Sequence, residues 1–72
     1  MTANELLALL RKRLKLNQIA MAKLLGISQG ALSKIENHHL HPQLSTYRAA
    51  CRLAYEKRQD ALVQKFQEHL FE

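Results

Sequence analysis

Three of the four histidines of this 72-residue chain form a cluster near its one cysteine, and both residue types can bind a metal ion. His38, His39 and His41 lie within four positions, and Cys51 follows ten residues later. Protein zinc sites are usually built from ligand pairs with a short, regular spacing, and the histidine cluster has no such second pair elsewhere in the chain. We therefore expect no metal site and no other cofactor, and Cys51 is expected on the inner face of a helix.

Groups for catalysis are also missing from the sequence pattern. No paired carboxylates, no nucleophile with a neighbouring base and no glycine-rich phosphate loop occur at a useful spacing, so we expect no enzyme activity.

Length and charge restrict the class of protein and its partner. A chain of 72 residues makes one small domain, which is marginally stable alone and would gain from forming a dimer. The formal net charge is +5. Residues 1–41 hold six lysines and arginines against two glutamates, a balance of +4, whereas residues 42–72 have a balance of +1. This basic half favours a polyanionic partner.

Cysteine usage and hydropathy give an expectation about the compartment. A single cysteine excludes an internal disulfide and fits a reducing cytoplasm. No apolar run approaches the ~18 residues of a membrane span, and no signal sequence opens the chain. We expect a cytoplasmic protein.

Residues 18–37 have the pattern of two short helices joined by a tight turn. Apolar residues recur at three- and four-residue spacing on one face of each helix, namely Met21, Ala22 and Leu25, then Leu32 and Ile35. Gly26 suits a left-handed helix end, and Ser28 is a good N-cap for the second helix. Two helices with facing apolar sides and such a short connection must share one core.

This stretch resembles the Cro and phage-repressor type of helix-turn-helix, the XRE family, over about residues 7–53. The matching residues are Arg11, Leu16, Gln18, Met21, Ala22, Leu25 to Gln29, Leu32 to Asn37, Pro42 and Thr46. The resemblance implies an all-α, five-helix, lambda-repressor-like domain over residues 1–72. It also implies a sequence-specific regulator of transcription that binds double-stranded DNA.

The resemblance also implies roles for individual residues. Base-reading positions are those at the start and middle of the second helix of the motif, Gln29, Gly30, Ala31, Ser33 and Lys34. Phosphate-binding positions are Gln18, Ser28, Asn37, His38, Lys12 and Arg13. For Lys12 and Arg13 the alternative is that they only stabilise the negative end of the dipole of the first helix. Gln18 is expected to brace Gln29, and Arg11 to form a structural ion pair with Glu36.

The flanking helices follow from caps and apolar periodicity. Thr2 and Glu5 form a capping box that starts a helix running to about Leu14. A fourth helix should begin between Leu44 and Thr46, and we expect a break at residues 56–60, although one continuous helix is the alternative. At the end of the third helix, Asn37 or His38 must take the left-handed conformation, because the glycine usual in the family is replaced.

The C-terminal helix, at about residues 59–71, has an unusually wide apolar face. We expect this face to form a dimer interface through Leu62, Val63, Phe66, Leu70 and Phe71, with packing inside one chain as the alternative. A twofold dimer would place two recognition helices about 34 Å apart on an inverted-repeat operator.

The simplest function is a dimeric repressor of its own gene that inserts the third helix into the major groove. Two alternatives from other classes stay open. An antitoxin would mask a toxin with the C-terminal helix and bind their shared promoter. An RNA-binding regulator would use the same basic face, although few aromatic side chains are left to stack on unpaired bases.

Overall fold

The computed structural model describes residues 1–70, which form five α-helices. These are α1 (Ala3–Arg13), α2 (Gln18–Leu25), α3 (Gln29–Glu36), α4 (Leu44–Glu56) and α5 (Asp60–Leu70). The expected all-α, five-helix architecture is confirmed. The expected break between the last two helices is also present, with Arg58 in the left-handed conformation at φ 56°. This residue turns the chain without a glycine or proline.

The N-terminus of α1 carries the predicted capping box. The Thr2 hydroxyl oxygen accepts from the Glu5 backbone N–H at 3.1 Å, and the Thr2 N–H donates to Glu5 Oε1 at 2.9 Å. Hydrogen bonding by the Thr2 backbone N–H and by the Thr2 side chain lowers the pKa of the Glu5 carboxyl. The helix ends at Arg13, and Leu14 is its C-cap and packs against the core.

The corner between α2 and α3 has the geometry that its residue types predict. Gly26 adopts φ 73°, and the following Ile27 N–H donates to Ala22 O at 3.0 Å. Ser28 then caps α3, its Oγ accepting from the Ala31 N–H at 3.0 Å. At the far end of α3, His38 is the residue that takes the left-handed conformation, with φ 62°.

One apolar core joins all five helices. Helix α4 adds a tyrosine, a leucine and small residues, and the largest fully buried side chains come from the other four helices. These are Phe66, Leu6, Leu7, Leu10, Met21 and Leu32. Helix α1 packs against α3, α4 and α5. The α2–α3 corner therefore packs on a core to which the other three helices contribute.

The expected role of two α5 residues needs correction. Leu62 and Phe66 are buried in the core of their own chain, where the Phe66 ring lies 5.0 Å from the Tyr47 ring between centroids. The Tyr47 hydroxyl donates to Phe66 O at 3.1 Å. Neither side chain is available to a second copy, because the small domain needs both to fill its own core. Among the other predicted interface residues, Val63 is half-buried, while Phe71 and the side chain of Leu70 lie outside the described part.

Candidate nucleic-acid interface

Helix α3 buries one face and presents the other to solvent. Leu32 and Ile35 anchor the buried face in the core. Because the helix turns about 100° per residue, the opposite face holds a different set of positions. That face consists of Gln29, Gly30, Ser33, Lys34 and Asn37, of which only Ser33 is half-buried. Four of the five predicted base-reading residues therefore share one exposed surface.

Ala31 is the predicted base-reading residue that lies apart from this surface. It is half-buried and lines a cavity with Ile27, Leu40 and Thr46, on the side of α3 that faces α4. Its methyl group is turned away from the centre of the exposed face.

The amide of Gln29 is held by an amide of the preceding helix. Gln29 Nε2 donates to Gln18 Oε1 at 2.8 Å, so the predicted brace is present. Gln18 Nε2 in turn donates to Glu36 Oε1 at 3.3 Å. The first residue of α2 therefore connects the first and last residues of α3.

Glu36 is also the partner of the predicted ion pair. Arg11 Nε and one terminal nitrogen donate to its two oxygens at 2.7 and 2.9 Å, a bidentate arrangement. The other terminal nitrogen donates to Leu16 O at 3.0 Å. The side chains of Arg11 and Glu36 are 19% and 9% exposed. The pair therefore joins α1, the α1–α2 connection and α3 in one partly buried network.

The network determines the charge state of Glu36. Burial acts to raise the pKa of the Glu36 carboxyl, but hydrogen bonds from Arg11 and Gln18 and the positive charge of Arg11 outweigh it, so the pKa is lowered. The hydrogen bonds to Glu36 raise the pKa of the Arg11 guanidinium. Both groups are charged at neutral pH, which keeps Glu36 an acceptor for Arg11 and Gln18 together.

The orientation of Gln29 leaves the rest of its amide for another partner. An amide nitrogen has two hydrogens that point in different directions, and only one is needed for Gln18. One hydrogen and Oε1 therefore remain for another partner, and Gln29 is an exposed residue. This is the donor and acceptor pair that can bind the major-groove edge of adenine through N7 and the N6 amino group.

The sequence matches a known protein family. The family model described as helix-turn-helix matches residues 7–53, well over half of the chain. The chain belongs to the XRE-type helix-turn-helix family. It is therefore a DNA-binding regulator of transcription. The exposed face of α3 is its predicted recognition surface, hereafter the recognition surface. The chain matched no curated protein and no solved structure.

Gly30 lies at the centre of the recognition surface of this helix-turn-helix protein. A Cβ built on Gly30 meets no atom within 4 Å, and its φ is not positive. The fold therefore does not need glycine here, in contrast to Gly26, where φ is 73°. The absence of a side chain leaves the backbone of α3 open to a close approach.

Three of the six predicted phosphate-binding residues lie at the two ends of α3. Ser28, Asn37 and His38 are exposed next to the two ends of α3, and the Ser28 hydroxyl hydrogen stays available because only its oxygen serves the cap. Lys12 is exposed, and its positive charge contributes to the lowered pKa of Glu36. Arg13 is exposed at the end of α1.

Asn4 is a polar residue of the site that sequence reasoning missed. Its side chain is only 4% exposed, and Nδ2 donates to Ile35 O at 2.9 Å and to Leu40 O at 2.8 Å. The partners lie 31 and 36 positions away in the chain. No local sequence signal could have shown them. Asn4 also precedes the part of the chain that the family model matches.

Two other kinds of site were searched for along residues 1–70. No three metal-binding side chains come together there in a way that could hold an ion. None of the helices in this range has the length and apolar character to cross a membrane.

Proposed function

We propose that this helix-turn-helix protein is a dimeric repressor that binds an inverted-repeat operator, in the simplest case in its own promoter. The observation that carries the proposal is the arrangement of Gln29, Gln18 and Glu36. The amide of Gln29 is exposed and is held by the amide of Gln18, which Glu36 holds in turn. Gln29 is therefore already oriented to bind the edge of one base. A regulator that only neutralised phosphates would not need an oriented amide.

In this proposal α3 enters the major groove with its first turn foremost. Gln29 binds adenine through two hydrogen bonds, and Lys34, one turn later on the same face, reaches a guanine or a phosphate. Ser33 can bond to either a base edge or a phosphate. The absence of a side chain at Gly30 lets the helix backbone lie close to the bases.

Phosphate contacts flank the bases that α3 reads. The first N–H groups of α2, at Gln18 and Ile19, precede the helical hydrogen bonds and carry the positive end of the helix dipole. Ser28, Asn37 and His38 extend this set beyond both ends of α3. Such contacts fix the position of the protein on the duplex, and the base contacts select the sequence.

A homodimer accounts for specificity that one short helix cannot provide. Since Leu62 and Phe66 are internal, the surface proposed for the second copy lies along the groove between α4 and α5, which includes Val63 and Cys51. Tyr55 borders this groove and is 72% exposed. The exposed lining of the groove is mostly apolar, and it also includes Arg48, Arg52 and Gln67. A mostly apolar groove beside an exposed aromatic ring is the kind of surface that dimer interfaces cover.

The test is selection of bound duplexes from a randomised DNA pool at two salt concentrations. The wild-type protein should enrich one inverted repeat, and enrichment should persist at the higher salt. A Gln29→Ala, Lys34→Ala variant should lose or relax that sequence, while Lys57→Ala, an exposed change at the α4–α5 junction, should keep it. A pool that stays random, with binding that vanishes at higher salt, would contradict the proposal.

The same material separates the two other classes of function. A structured RNA that competes with the selected duplex at equal concentration would favour an RNA-binding regulator. A toxin encoded beside this gene that co-purifies with the chain and masks the α4–α5 groove would favour an antitoxin. The proposed repressor predicts neither result.

A further inference from the structure

The amide of Asn4 connects α1 to the end of the recognition helix and to the loop beyond it. Both contacts come from one nitrogen, Nδ2, to Ile35 O in the last turn of α3 and to Leu40 O in the α3–α4 loop. An amide nitrogen has two hydrogens, so this geometry uses both. The group is buried, and an aspartate or a leucine of similar size could not make these two bonds.

The segment that Asn4 holds is the loop of residues 37–41. It leaves α3 through His38, which has φ 62°, an unfavourable conformation for a residue with a Cβ. The His38 N–H donates to Ile35 O at 3.1 Å and the His39 N–H to Lys34 O at 2.8 Å. Asn4 adds a contact from α1 to these local hydrogen bonds. Its bond to Leu40 O holds the far part of the loop.

Helix α1 thereby holds the last turn of α3 at two points. Asn4 bonds the backbone at Ile35, and Arg11 bonds the side chain of Glu36. The two α1 residues are seven positions apart, which is about 10 Å along a helix. These two separated contacts add to the buried side chains of Leu32 and Ile35 in restricting rotation of the end of α3 on the core.

We propose that Asn4 is a positioning residue for DNA binding, which fixes the loop of residues 37–41 relative to α3. The inference rests on the proposed function, because the loop is taken to lie beside the operator backbone. Asn37, His38, His39 and His41 are all exposed on this loop. When the loop is fixed, the hydrogen-bond donors of these four residues contact phosphates at a constant distance from the bases that Gln29 and Lys34 read.

The DNA test uses the full-length protein and the operator selected by the wild type. Asn4→Ala removes both bonds, and Asn4→Ser, with one donor, keeps at most one of them. The control is Ala50→Gly, which destabilises α4 in the core without touching the loop. Affinity is measured over a range of salt well below the unfolding temperature of each variant, so that all proteins are folded.

We expect Asn4→Ala to bind the operator about tenfold more weakly, with the slope of log affinity against log salt reduced by about one. Asn4→Ser should fall between this variant and the wild type, and Ala50→Gly should keep the wild-type affinity and slope. The preferred sequence should stay unchanged, because Gln29 and its brace are intact.

A measurement without DNA tests the same role independently. In Asn4→Ala, the amide hydrogens of His38 and His39 should exchange at least about tenfold faster relative to the global unfolding limit, while those of Met21 and Ile27 should not. This comparison distinguishes release of the loop alone from destabilisation of the whole domain.

The outcomes distinguish the two levels of the proposal. A wild-type protein that selects no sequence overturns the proposed function, and the role of Asn4 with it. A wild-type protein that selects an operator, with a folded Asn4→Ala variant of unchanged affinity, salt slope and loop exchange, overturns the role of Asn4 alone.

Discussion

Gln29 Nε2 lies 2.8 Å from Gln18 Oε1, so the side chain at the front of the recognition helix is oriented by the helix before it. This hydrogen bond is the first of a series of side-chain contacts that continues from Gln18 to Glu36 and from Glu36 to Arg11. A side chain that is already held in its binding orientation loses less conformational freedom on binding. The recognition surface is thereby coupled to the core.

The brace predicts that Gln18 and Gln29 act as one unit. Gln29→Ala should lower operator affinity by about 1–3 kcal/mol and relax discrimination at one base pair. Gln18→Ala should relax the same base pair, because the amide of Gln29 can then rotate. In the double variant the combined loss should be smaller than the sum by about 1 kcal/mol.

Fluorescence anisotropy titrations of the four proteins give this coupling on the operator and on an operator with that base pair replaced. Lys23→Ala, on the exposed surface of α2, is the matched control. Losses that add within about 0.3 kcal/mol would show that the two amides work independently.

The ion pair predicts a stability difference between two arginines of α1. Arg11→Ala leaves the Glu36 carboxylate partly buried without its main partner, and should lower the free energy of unfolding by about 3 kcal/mol. Arg13→Ala, two positions later and exposed, should stay within about 0.5 kcal/mol of the wild type. Urea denaturation with unchanged slope measures both. Equal midpoints for the two variants would contradict a structural role for Arg11.

The lowered pKa of Glu36 predicts a loss of stability in acid. A carboxyl whose pKa is lower in the folded chain than its ordinary value of 4.5 stabilises the fold above that value. This contribution is lost as the pH falls through the lower, folded-state pKa, because the folded protein must then take up the proton. Glu36→Gln should therefore be less stable than the wild type at pH 7, with a smaller further loss between pH 5 and 3. Parallel pH profiles for the two proteins would refute this assignment.

The two glycines of the motif should respond in opposite ways to alanine. Gly30→Ala fills open space inside a helix, so it should raise the free energy of unfolding by about 0.5–1 kcal/mol. It should also weaken operator binding, since the added methyl group lies where the helix approaches the bases. Gly26→Ala should destabilise the protein by about 1 kcal/mol or more, because a Cβ is strained at φ 73°. Thermal unfolding measures the change in stability of both variants, and operator titration measures the change in affinity. A Gly30→Ala protein that binds as well as the wild type would contradict a close approach of the α3 backbone to the bases.

Local signals explain why much of the motif could be predicted. The capping box at Thr2 and Glu5, the turn at Gly26 and the cap at Ser28 each depend on residues within four positions of one another. The pair of Arg11 and Glu36 is distant in sequence, and only the family resemblance pointed to it. For the same reason the brace between Gln18 and Gln29 came from the resemblance and not from periodicity.

The incorrect prediction at Leu62 and Phe66 has a physical reason. An apolar face at helical spacing shows that a helix must be covered, but it does not show whether its own chain or a second copy covers it. In a domain this small, α5 is needed to complete the core around Tyr47. Asn4 was missed for a related reason, because an asparagine in a first helical turn is ordinary unless its distant partners are known.

The most direct measurement of the central claim uses a chemically altered operator. Replacing single adenines by 7-deazaadenine removes the N7 acceptor and leaves base pairing intact. The proposed reading predicts one position in each half-site where this change weakens wild-type binding about tenfold but has no further effect on Gln29→Ala. If no adenine shows this difference between the two proteins, Gln29 does not read the major groove in the way that its geometry indicates.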